Sequence, residues 1–190
     1  MLSNKGTSMI ILGIDPGSRI TGFGLVKKSG NKTTHLENGT LYLDTKKQYK
    51  DRLVFLFQEI QALVNAFKPE ALSIENIFYH KNPKSVQKLG EARGVAILAG
   101  AISNLDVFEY TPLEIKKAIT GHGNATKEQV QYMVRRLLNL KDLAEENASD
   151  ALGAALCHAH SCTLNNQLLQ NTKTGLNEAQ EILKKANYYR

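Results

Sequence analysis

Cysteine, proline and long apolar runs are all scarce in this chain, and acidic residues are outnumbered by basic ones. The two cysteines, Cys157 and Cys162, stand five residues apart with no second pair. That spacing indicates neither a zinc site nor a disulfide framework and points to a reduced, cytoplasmic setting. No apolar stretch approaches the roughly 20 residues that a membrane span requires, and the opening MLSNKGTS lacks the apolar core of a signal peptide. The four prolines, Pro16, Pro69, Pro83 and Pro112, all fall where a turn or a helix boundary is expected.

Within those exclusions, 190 residues of 42% hydrophobic content suffice for one domain with a real core. Residues 9–164 carry the regular patterning and are expected to be that domain. Residues 1–8 read as an N-terminal extension, and 165–190, rich in Asn, Gln and Lys, as a mobile C-terminal tail. A formal charge of +6 favours a polyanionic partner such as nucleic acid.

The chain is organised around residues 9–26, MIILGIDPGSRITGFGLV. Ile10, Ile11, Leu12 and Ile14 form the short apolar run of a buried strand, which ends in Asp15 before the turn formers Pro16 and Gly17. A second strand over 21–26 returns antiparallel to it, and a third over 33–43 is expected to be broken by Asn38-Gly39. Leu53, Leu56, Phe57, Ile60, Leu63, Val64 and Phe67 then recur at helical spacing until Lys68-Pro69. Residues 71–74 are a fourth strand, ending in Glu75. Asn82-Pro83 starts a helix through about Ile102, whose Gly90, Gly94 and Gly100 suggest close backbone approach to the sheet or to a second subunit. Residues 107–110 are a fifth strand. Capping boxes at Thr111/Glu114 and Thr126/Gln129 open two further helices, and a last helix runs from about Ala148 to Cys162. Hairpins followed by βαβ crossovers predict an α/β fold: a mixed five-stranded sheet with helices on both faces.

Twice a buried-type strand delivers a carboxylate at its end, Asp15 and Glu75. If those strands are neighbours, the two lie side by side, and the late helix can aim Asp150 at both. Three converging carboxylates repel unless they share protons or bind cations. Their hard oxygens suit Mg²⁺ or Mn²⁺, two of which can promote phosphodiester hydrolysis.

GIDPGSRITGFGLV, IENIFYHKNPKSVQKLGEARGVA and ASDALGAALCHAH together resemble segments of the RuvC family of bacterial Holliday-junction resolvases, from about Met9 to Ser161 in the expected order. The resemblance implies a ribonuclease H-like fold and a homodimer that cuts two opposed strands of a four-way DNA junction, acting with the RuvA-RuvB branch-migration complex. It makes Asp15, Glu75 and Asp150 the catalytic metal ligands, for about two Mg²⁺ per subunit with Mn²⁺ able to substitute. By the same resemblance Lys116 and Lys127 serve activity, and Phe78 meets unstacked bases. Lys81, Lys84, Lys88 and Arg93 supply basic DNA contacts. One position departs from the pattern: where the family has an acid or a histidine, this chain has Asn147, a weaker ligand or simply a helix cap, with Glu146 next door as an alternative source of the missing carboxylate. That substitution leaves one alternative, a junction-binding protein with weak or no cleavage.

Overall fold

A computed structural model of the chain describes residues 8–76 and 83–163. The expected extension (but for Ser8), Phe78, Lys81 and the tail lie outside the described residues.

β1 (Ser8–Asp15) is the central strand of a five-stranded sheet. Its alternating side chains divide between two cores: Ile11 points into one, Leu12 and Ile14 into the other. β2 (Ile20–Ser29) returns antiparallel to it, with Asp15 opposite Gly22, and β3 (Lys32–Tyr42) continues the meander. Asn38-Gly39 does not break β3. It pairs in register with Gly24 and Phe23, and the irregularity of that ladder lies at Leu25/Val26 instead. Gly39 answers a packing demand, since a Cβ there would stand 2.8 Å from the Phe23 ring.

α1 (Tyr49–Phe67) buries Leu56, Ile60 and Val64. Pro69 bars Lys68 from the helical region. Lys68 turns left-handed at φ 50° and donates its N–H to the Val64 carbonyl at 2.9 Å. β4 (Ala71–Glu75) then enters parallel to β1, and α2 (Pro83–Ile102) leads to β5 (Asp106–Tyr110), parallel to β4. The sheet order is β3-β2-β1-β4-β5. α3 (Pro112–Thr120) and α4 (Lys127–Leu138) both open in complete capping boxes at the expected residues. A fifth helix, α5, occupies 146–163.

α1 and α2 cover one face of the sheet with Leu12, Ile14, Leu25, Leu72 and Ile74, while α3, α4 and α5 cover the other with Ile11, Val26 and Ala71. The chain therefore has the mixed five-stranded sheet with helices on both faces that its patterning predicts. The glycines of α2 divide. A Cβ on Gly100 would lie 3.1 Å from Leu72, a close approach to the sheet, whereas Gly90 and Gly94 meet nothing within 4 Å.

α5 sits unusually near the sheet. Leu152 and Leu156 are buried on its inner face, each worth about 1.5–3 kcal/mol of transfer free energy. Ala148, Ala151 and Ala155 let the backbones approach. The strands reciprocate with Gly13, where a Cβ would fall 2.0 Å from the Ala151 carbonyl oxygen, and Gly22, where it would fall 1.9 Å from that of Asn147. Neither site admits a side chain. This seating decides where Asp150 goes.

Candidate active site

Ile14 of β1 pairs with Ile74 of β4, so the next residues, Asp15 and Glu75, leave the sheet side by side at its carboxyl edge. Open α/β sheets bind ligands at that edge. Across the ladder Asp15 faces Gly22, over which the first turn of α5 passes. Asp150 of that helix reaches the same edge. Glu75 and Asp150 line a cleft of about 190 Å³ with Lys116 of α3 and Lys127 of α4, closed on its apolar side by Pro112, Ile115 and Val130. Two carboxylates and two ammonium groups, drawn from four elements, thus line one small volume, and Asp15 lies close enough to feel the charges of Asp150, Glu75 and Lys127.

Their electrostatics are those of a crowded acidic site. Burial, then the charges of Asp150 and Glu75, push the Asp15 carboxyl up to about 7, against the lowering effect of Lys127. Glu75 is raised by burial and by Asp150, with Lys127 and Lys116 opposing. Asp150 is raised by burial although its hydrogen bond and ion pair with Lys127 favour the charged form. The Lys127 Nζ lies 3.0 Å from Asp150 Oδ2 and bonds Glu146 at 2.5 Å. Burial works against that ammonium, but these two partners hold it above its ordinary value.

Among the described residues, no three acidic, histidine or cysteine side chains converge tightly enough to enclose a metal ion in this arrangement. The cation that Asp150 shares here is Lys127. The donor set nonetheless suits a hard divalent cation: it is all oxygen, and it is short of positive charge by the measure of its own raised carboxyls.

Other expected residues fall elsewhere. Lys84 and Lys88 line a separate cleft at the start of α2. Arg93 lines neither cleft and is ion-paired to Glu109 of β5, with its side chain only 17% exposed. Asn147 is not a helix cap: α5 begins at 146, and the Glu145 carbonyl already accepts the Ser149 N–H at 2.8 Å, which makes Asn147 the second helical residue. Glu146 brings the extra negative charge beside the cluster, since it bonds Lys127 and helps to raise Asp15. Its place in the first turn favours an anion through the helix dipole, a signal present in the sequence. Arg19 and Arg52 were not expected at all, and they join Lys84 and Lys88.

The sheet order, the crossovers and the carboxyl-edge site define a ribonuclease H-like α/β protein. Within that class the chain belongs to the RuvC family. The family model described as crossover junction endodeoxyribonuclease RuvC, a metal-dependent nuclease, matches residues 11–158. The crossover junction endodeoxyribonuclease RuvC of Geotalea uraniireducens is 47% identical over 171 residues, spanning 90% of this chain and 100% of that one. That of Syntrophotalea carbinolica is 50% identical over 160 residues, 84% and 99% of the two chains. The structure of T. thermophilus RuvC in complex with Holliday junction substrate superposes with a TM-score of 0.78 at 31% identity, covering 83% of this chain and 96% of that one. A protein that binds junctions without cutting them finds no support in the family model or in the two sequence relatives, all three of which are named as endodeoxyribonucleases.

Proposed function

We propose that this chain resolves Holliday junctions in DNA recombination and repair, hydrolysing phosphodiester bonds in two opposed strands of a four-way DNA junction. The observation that carries the reading is the meeting of Asp15, Glu75 and Asp150 at one sheet edge beside Lys116 and Lys127, in a chain of this family.

Asp15, Glu75 and Asp150 would hold the divalent cations, taken as two Mg²⁺ with Mn²⁺ able to substitute. Such ions, when bound, lower the pKa of a water and stabilise the leaving oxygen. Asn147 offers an amide oxygen as a weaker, uncharged fourth donor. Lys127, tethered by Glu146 and Asp150, and Lys116 across the cleft hold positive charge where a scissile phosphate would lie. Lys84 and Lys88 bind the DNA backbone beyond that point. Phe78 and Lys81 are assigned to the junction by resemblance alone, Phe78 as a stacking platform worth ~1–3 kcal/mol per base.

Two opposed cuts need two sites in fixed relation, so the working form is a two-fold homodimer. The open positions Gly90 and Gly94 of α2 support an interface on that helix. The nuclease domain is taken as residues 9–164. The setting is the cytoplasm, with RuvA-RuvB as the branch-migration partner. Among the described residues, no helix is long and apolar enough to cross a membrane.

The test is incubation with a synthetic four-way junction and with a linear duplex of the same sequence, in Mg²⁺ and in chelator. Paired symmetric nicks in the junction alone, only in Mg²⁺, are expected. Equal cutting of the duplex, or none of either, would overturn the reading.

A further inference from the structure

A separate, basic cleft gathers residues from the turn after β1, the entry to α1 and the start of α2. Arg19 and Ser18 come from the turn after Asp15, Thr45 and Arg52 from the entry and first turn of α1, and Lys84, Ser85 and Lys88 from the start of α2. Together they line a volume of about 520 Å³ that shares no residue with the carboxylate cleft. All seven are polar or cationic, and none is acidic. Glu91, one turn beyond Lys88, is not part of the lining; its carboxylate accepts from Gln87 at 2.9 Å and from the Tyr49 hydroxyl.

Arg52 is the unusual member. Its residue is only 8% exposed, yet among the described residues it pairs with no carboxylate. One guanidinium nitrogen donates to the Ser18 carbonyl at 2.9 Å, the group lies 4.8 Å over the Tyr49 ring, and Nε has no described hydrogen-bond partner. A largely buried cation without an ion-pair partner is unfavourable. This one is also prepared: the Ser18 carbonyl and the Tyr49 ring fix its plane, and Tyr49 in turn bonds the Lys88 carbonyl at 2.7 Å while the Lys88 ammonium lies 5.5 Å from the same ring. A planar guanidinium held this way, rimmed by Arg19, Lys84, Lys88 and three hydroxyls, matches the tetrahedral oxygens of a phosphate.

We propose that this cleft is a second phosphate site, which grips a backbone phosphate of the DNA strand that enters the carboxylate cleft. The inference rests on the nuclease reading only for the identity of the phosphate's owner. Ser18 and Arg19 follow Asp15 by three and four residues, and Glu75 lines the carboxylate cleft, so a phosphate held in the basic cleft fixes the strand relative to Asp15 and Glu75. Arg52 and Arg19 are therefore positioning residues, not catalytic ones.

The experiment measures binding of a labelled junction, and of a linear duplex, across a salt series in chelator, so that no cleavage is required. Arg52→Gln risks the fold, so the deciding variants are the exposed Arg19→Gln and Lys88→Gln, with Arg19→Lys as the charge-preserving control. Each neutral variant should flatten the log affinity against log salt slope by about 0.9 and weaken binding roughly eightfold at 0.1 M salt. Arg19→Lys should restore the slope. In parallel, amide chemical shifts of the wild type are followed with inorganic phosphate, and Ser18, Arg19 and Ser85 should move. Unchanged slope and affinity in both neutral variants would overturn the assignment to DNA. If inorganic phosphate still moved those amides, the cleft would take free phosphate instead. A junction that binds with the predicted slope changes but is never cut in Mg²⁺ would sink the nuclease reading and leave this one standing.

Discussion

Replacing Asp15 by asparagine in the metal-free protein should make the fold more stable at neutral and alkaline pH. The Asp15 carboxyl is raised from 3.8 to about 7, first by burial and then by Asp150 and Glu75. A raised folded value means that the folded chain keeps a proton that the unfolded chain has already released. The cost is therefore absent below about pH 4, grows between about pH 4 and 7, and is complete above 7. At about 1.4 kcal/mol per pH unit, the full displacement is about 4 kcal/mol. Asparagine removes the charge but remains a partly buried amide, so a gain of about 2–4 kcal/mol is expected at pH 8. For a chain of this size, 1 kcal/mol corresponds to roughly 2–4 °C in Tm. Thermal unfolding in chelator at pH 4, 6 and 8 should give no gain, part of it, and a rise of roughly 4–16 °C. Mg²⁺ should stabilise the wild type and narrow the gap, because it neutralises the same charge. A variant no more stable than wild type at pH 8, or a gain equally large at pH 4, would refute the claim that mutual repulsion and burial strain this carboxylate.

Gly22→Ala places a Cβ about 1.9 Å from the Asn147 carbonyl oxygen; displacing the α5 turn should cost about 1–3 kcal/mol or more in urea unfolding and depress cleavage more than junction binding, and an unchanged unfolding midpoint would contradict the seating of α5. Lys127→Met removes the ammonium shared by Asp150 and Glu146, and single-turnover cleavage should fall on the order of 10²–10³-fold with junction affinity nearly retained; a parallel loss of affinity would make Lys127 a general DNA contact. Asn147→Asp adds a fourth carboxylate beside the cluster, and the Mg²⁺ concentration for half-maximal cleavage should fall roughly 5- to 150-fold, the equivalent of ~1–3 kcal/mol. No change there would leave Asp15, Glu75 and Asp150 as the whole ligand set.

The parts of this molecule legible in its sequence are those decided locally. Apolar runs closed by Asp15 and Glu75 mark two strands and two candidate ligands without any tertiary information. Capping boxes at Thr111 and Thr126 start their helices at the expected residues, because the side chain and backbone involved lie three positions apart. What depended on distant partners was less visible. Asn38-Gly39 carries a turn signature, but β2 on one side and the Phe23 ring over Gly39 keep it extended. Asn147 is a good cap by type, yet the glycine-lined seat for α5 sets the helix start one residue before it. The small residues of α2 read alike in sequence and divide in space, with Gly100 against Leu72 and Gly90 facing open space. Arg52 sits between Asp51 and Leu53 at the start of an amphipathic helix, where an arginine is unremarkable, and only folding brings it to Ser18, 34 residues earlier. A basic cleft built from three separated segments has no linear signature.

The central claim is that Asp15, Glu75 and Asp150 act as one cation-dependent hydrolytic centre. It is tested most directly by single-turnover cleavage of a four-way junction in saturating Mg²⁺, with Asp15→Asn, Glu75→Gln and Asp150→Asn compared with wild type at matched junction occupancy. Each variant should lose cleavage by several orders of magnitude while binding the junction as well as wild type or better, and the double variants should be no worse than the single ones. Cleavage within tenfold of wild type in any one of the three would remove that residue from the centre, and such cleavage in all three would contradict the account.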